Sequence, residues 1–157
     1  MISWVTAVGC GEVRRNQADV DASLPFVFGE CPVDVRVPIP KPVCSQEQQS
    51  SKGKWTEEDA VIWQSDEEAH PVSISVRGGL IACPQSGESG AAEDYRLKWH
   101  QEAQRCLGAA LDDLGVSAQS NQGNVNVIFV ELTWDQIQEI GRRLDVEHIR
   151  NIGRPPR

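Results

Sequence analysis

Between Tyr95 and Leu114 the apolar residues Tyr95, Trp99, Ala103, Cys106, Leu107, Ala110, Leu111 and Leu114 recur in steps of three and four. That spacing sets them along one side of a helix. The helix predicted over residues 92–114 runs for about six turns. Gly115 follows it, the residue that enters a left-handed cap conformation at least cost. So long an amphipathic helix needs a second layer to cover its apolar stripe, and the flanking sequence supplies strands.

Upstream, Val72, Ile74 and Val76 alternate with Ser73 and Ser75, the period of a half-buried strand, and Gly78-Gly79 bends the chain before Leu80 to Cys83. Downstream, a strand from Val116, a polar turn over 120–124 and a strand from Val125 to Leu132 read as a hairpin. The run Val127-Ile128-Phe129-Val130 is apolar on both faces and belongs inside a sheet. Thr133 and Gln136 form a capping box for a helix lined by Trp134, Ile137, Ile140 and Leu144, with Arg142 and Arg143 at its negative end. Val146, Ile149 and Ile152 make a closing strand, with His148 facing solvent. The expected fold class is α+β: a ferredoxin-like βαββαβ antiparallel sheet with both helices on one face, over residues 71–157. The opposite face is then free for a partner.

Residues 1–70 read as a β-rich, loop-rich extension. Leu24 to Ile39 shows period-two alternation broken by glycine and proline, with Pro38, Pro40 and Pro42 confining its second strand to an edge. Ser45 to Lys54 is polar throughout and predicts a mobile loop, because it has no apolar face whose burial would offset ordering. Thr56 followed by Asp59 starts a short helix reaching Trp63.

The net charge of −8 disfavours nucleic acid, whose phosphates bind through Lys and Arg. Residues 1–71 hold twelve acids against six bases, and residues 72–157 eleven against nine. The exception is the C-terminal end, where Arg142, Arg143, Arg150, Arg154 and Arg157 face only Asp145 and Glu147. Such an end suits an acidic protein surface or is simply a solvated tail.

The cysteines Cys10, Cys31, Cys44, Cys83 and Cys106 include no Cys-x-x-Cys pair, so no metal site is expected. In an exported chain they would form disulfides. Cys83 with Cys106 and Cys31 with Cys44 are the preferred pairs among three possible connectivities. Met1 to Gly9 is apolar and leads into Ala7-Val8-Gly9-Cys10, which resembles the lipobox of bacterial lipoproteins. That likeness implies a truncated signal at residues 1–9, lipidation of Cys10 and a secreted or cell-envelope location. The alternative is a strand or loose end with an ordinary thiol. A lipid on Cys10 is the one membrane attachment expected.

Several features of Val125 to Ile149 resemble the propeptide domain of subtilisin-like serine proteases and the free-standing inhibitors of that fold. These are the apolar central strand, the Leu132-Thr133 turn, the Asp135-Gln136 helix start and the closing Val146 and Ile149. The resemblance implies a protease inhibitor or folding chaperone: the open sheet face packs on a subtilisin-like serine protease, and the tail Ile152, Gly153, Arg154, Pro155, Pro156 and Arg157 lies in its cleft. A tail that adds as a strand needs backbone donors and alternating side chains. Pro155 has no N–H to give, and Arg154 stands where subtilisins accept an apolar side chain. The tail therefore points to a protease with an acidic pocket for Arg157, or to a domain that kept the fold without the tail's use.

No catalytic constellation is legible. His70, His100 and His148 have no nucleophile motif beside them, Cys106 lies on an apolar helix face, and Gly78-Gly79 is not followed by a phosphate-binding helix start. Neither catalysis nor a cofactor is expected. The alternative function is an exported or lipid-anchored envelope interaction module with no protease role.

Overall fold

The computed structural model describes residues 34–65, 68–80, 89–120 and 125–153. Helix α1, Glu57–Trp63, starts where Thr56 accepts the Asp59 N–H, with three acids in the first turn at the positive end of the helix dipole. Strand β1, His70–Val76, alternates as its sequence dictates, with Val72, Ile74 and Val76 buried. Helix α2, Ser89–Asp113, is followed by Gly115 with φ of 71°. Strands β2, Gln119–Ser120, and β3, Val127–Leu132, precede α3, Trp134–Gly141, whose start carries the complete Thr133–Gln136 capping box. Strand β4, Val146–Asn151, follows.

The strands lie in the order β2-β3-β1-β4, with every pairing antiparallel. Three of them are full strands. The strand expected from Val116 contracts to the two residues of β2, while Val116 and Ala118 pack on the core from outside any strand. Pro71 sits in the central strand β1 because, as its second residue, it loses little by having no N–H. Its carbonyl accepts the Ile152 N–H.

One apolar cluster joins the layers. Leu107 and Leu111 of α2, Ile137 and Ile140 of α3 and Trp63 of α1 meet the same side of the sheet, formed by Val72, Ile74, Val76, Ile128, Val130, Leu132, Val146 and Ile149. Both long amphipathic elements therefore cover a single face. The core does not stop at the boundary drawn before Pro71, since Trp63 is fully buried in it and Trp55 packs on Trp63 and Trp134 with ring centroids 6.2 and 5.5 Å away.

Three expectations for the segment before α1 are corrected. Residues 34–39 do not form a strand: a turn at Asp34, whose carboxylate takes the Arg36 N–H and guanidinium, leads into an unpaired run through Pro38, Pro40 and Pro42. Three prolines so close together deprive the run of ladder donors. Ser45 to Lys54, read as a mobile loop, is tied by its backbone instead. Gln48 bridges to Arg143, the Gln49 N–H donates to the Arg142 carbonyl, and the Lys54 carbonyl accepts the Ile149 N–H. Lys54 itself is buried, its ammonium on the Val146 carbonyl.

Third, Cys44 pairs with Cys106, which overturns both preferred pairs, Cys31 with Cys44 and Cys83 with Cys106. The proline-rich run lies along α2, where Val35 to Ile39 border Tyr95 and Lys98 and the Arg105 guanidinium donates to the Pro42 carbonyl. That course carries Cys44 onto Cys106 across 62 residues of sequence. Cys10, Cys31 and Cys83 lie outside the described residues.

Candidate protein-binding face

Strand alternation that sends Val72, Ile74 and Val76 inward sends Pro71, Ser73 and Ser75 to the other side of β1. The same alternation brings Val127, Phe129 and Glu131 of β3 and His148 and Arg150 of β4 to that side. Register sorts them into rows. Phe129, Ser73 and Arg150 form one, and Val127, Ser75 and His148 a second. Pro71 links Glu131 to Ile152 in a third. Two hydroxyl side chains thus occupy the middle, flanked by half-buried Val127 and Phe129 on one hand and exposed His148 and Arg150 on the other. Residues 34–56 make contacts with α2, with the turn after α3, and with β4, where Gly53, Lys54, Trp55 and Thr56 line a pocket with His148 and Arg150 at the margin of this face.

The two edges of the sheet differ. Along β4 the Lys54 carbonyl takes the Ile149 N–H and the Asp59 carboxylate takes the Asn151 N–H, so that edge is closed from within the chain. Along β3, β2 covers only Phe129 and Ile128. Beyond it opens a groove of about 690 Å³, lined by Gly115, Val116, Ser117, Phe129, Glu131 and, past Pro71, Ile152.

The basic character expected of the C-terminal end is reduced. The Arg143 guanidinium grips the buried Asp145 carboxylate at 2.7 and 2.8 Å and reaches the Cys106 carbonyl, so its charge is spent inside the fold. Arg142 and Arg150 remain exposed. Ile152 of the expected binding tail is 49% exposed and Gly153 donates to the Asn151 side chain, while Arg154, Pro155, Pro156 and Arg157 lie outside the described residues, as does the lipidation candidate Cys10.

The three histidines sit on three elements. His70 opens β1, His148 is exposed on β4, and His100 is buried in α2 with Nε2 accepting the Leu80 N–H at 3.3 Å. Burial, reinforced by nearby Arg96, holds the His100 imidazole below its usual pKa, which keeps it neutral and able to accept. Beside it the Gln104 amide donates to Asn126, the Asn126 amide to the Val76 carbonyl, and the Trp99 indole to the Gly78 carbonyl. This polar group, invisible to hydrophobic periodicity, fastens α2 to the end of β1. Cys106 offers no thiol, being half of the disulfide.

Among the described residues no His, Cys, Asp or Glu group is arranged to hold a metal ion, and no helix is long and apolar enough to cross a membrane. No family model matches the chain, and neither curated proteins nor solved structures give a match.

Proposed function

We propose that the chain is an exported, non-catalytic protein-binding domain of ferredoxin-like βαββαβ order that docks through its bare sheet face, as an inhibitor or folding chaperone of a subtilisin-like serine protease. The single observation that carries this reading is that α2 and α3 share one core face with the sheet, so that among the described residues no helix lies over Ser73, Ser75, Phe129, His148 or Arg150. The strand order β2-β3-β1-β4, with one helix before β2 and another before β4, supports the ferredoxin-like part. The Cys44–Cys106 bridge supports export, since disulfides persist in oxidising compartments.

The test is a panel of subtilisin-like proteases incubated with the intact chain, with a chain lacking Ile152 to Arg157, and with Ser73→Arg, which plants a long cation in the middle of the face. Inhibition that weakens at least about tenfold in both variants is expected. Inhibition unchanged by Ser73→Arg would exclude the face. No effect on any protease favours the second reading, an exported interaction module with another protein partner, to which Pro155 already points because it cannot donate a strand hydrogen bond.

A further inference from the structure

We infer that the groove beside β3 receives an extended segment of the partner protein, which pairs with the backbone of Glu131 and presents a Lys or Arg to its carboxylate. The inference rests on the protein-binding reading and specifies how the partner is held.

The phase of the ladder comes first. The Val76 N–H donates to the Asn126 carbonyl at 2.9 Å, so in the β1–β3 register Ile128, Val130 and Leu132 turn their backbone groups toward β1. The intervening residues, Phe129 and Glu131, turn theirs to the opposite edge. Phe129 meets Gln119 there. Had β2 continued, Ser117 would face Glu131, but residues 115–117 belong to no strand and line the groove together with Glu131. Among the described residues no backbone bond reaches the Glu131 N–H or carbonyl from that side. An exposed sheet edge of this kind recruits a strand.

Charge selects the occupant. Two copies of this chain joined antiparallel through the edge, with Glu131 at the two-fold axis, would set one Glu131 carboxylate against the other, and like charges directly opposite destabilise a strand pair. A partner segment with a cation opposite Glu131 gains the reverse. The apolar walls provided by Phe129, Pro71, Val116 and Ile152 accept the neighbouring side chains.

The probe is a synthetic heptapeptide of alternating Thr and Val around a central Lys, added to the isotope-labelled full chain and followed by NMR. Two controls accompany it: central Glu in place of Lys, and the Lys peptide with its central backbone nitrogen methylated. The Lys peptide is expected to shift the amide resonances of Ser117 and Glu131. Methylation should weaken it about tenfold or more, since it deletes the donor aimed at the Glu131 carbonyl. Glu131→Lys, a change at an exposed position, should reverse the preference toward the Glu peptide. The inference is overturned by absence of shifts at these residues up to millimolar peptide, by equal binding of the methylated peptide, by an unchanged preference in Glu131→Lys, or by concentration-dependent dimerisation through this edge. Those outcomes sink strand pairing at Glu131 alone, because methylating the peptide backbone and Glu131→Lys leave the rest of the face untouched, and the protein-binding reading is judged separately by the protease panel.

Discussion

At Gly141, the last residue of α3, the absence of a side chain is a packing requirement. A Cβ built there would drive into the Trp55 ring and come within 3.5 Å of Ser51. Replacing glycine by alanine inside a helix usually gains up to about 1 kcal/mol of propensity, but at the terminal residue little of that applies. Overpacking against a wedged indole costs roughly 1–3 kcal/mol and should win. Gly141→Ala is expected to lower the denaturation midpoint and to alter tryptophan fluorescence, because Trp55, Trp63 and Trp134 are in mutual contact. A second residue acts through protons. The His100 pKa is depressed in the fold, so below the unfolded value of about 6.5 the unfolded chain takes up a proton that the native chain refuses. Its stabilising contribution is complete above that pH and is lost as pH falls below it toward the folded value. His100→Gln keeps an acceptor for the Leu80 N–H and cannot titrate; urea midpoints measured from pH 7.5 to 5 should fall less steeply in the variant. Equal slopes would show that His100 does not set this dependence.

Among the elements, those announced by side chains were legible and those made by backbone were not. The stripe from Tyr95 to Leu114 gave α2 to within a few residues, and the Thr133 box gave the start of α3, because periodicity and caps are local. The box invites its own measurement: Thr133→Ala removes the acceptor of the Gln136 N–H and should cost about 1 kcal/mol by chemical denaturation, with Thr133→Ser recovering most of it. Alternation also separated the two sides of β1 and β3, and with them the bare face. By contrast, the bridge from Gln48 to Arg143 and the closure of the β4 edge by Lys54 are backbone hydrogen bonds between residues distant in sequence, which no local pattern encodes, and the hairpin that was legible shortens to two residues in β2. Lys54 shows the difficulty most clearly. A lysine in a polar run reads as solvated, yet Lys54 is buried and its ammonium donates to the Val146 carbonyl, and burial lowers its pKa, with nearby Arg77 adding to the effect. The open edge at Glu131 was hidden for the same reason, since it exists only because β2 stops early.

Across the whole molecule, the disulfide and the bare face lie on different sides of the fold. Cys44 and Cys106 join the leading segment to α2, whose apolar side meets the sheet from within, whereas Ser73 and Phe129 point away from that core. The bridge closes 62 residues that include α1, β1 and most of α2. Constraining a loop of that length in the unfolded state is worth about 4 kcal/mol on chain-entropy grounds, a large share of the roughly 5–15 kcal/mol that stabilises a domain. Removing it should therefore be felt by the entire cooperative unit: Trp63, inside the closed loop, shares a core with Ile149, outside it. Cys44→Ser with Cys106→Ser is expected to shift thermal unfolding sharply downward while far-ultraviolet circular dichroism at low temperature stays close to native. Because neither sulfur lies on the Ser73 and Phe129 side of the sheet, any binding through the proposed face should persist below the new midpoint. Hydrogen exchange separates this from a merely local staple. Faster exchange in β3 and β4 as well as in residues 34–44 is the expected result, and acceleration confined to residues 34–44 would mean that the bridge fastens a strap without supporting the core.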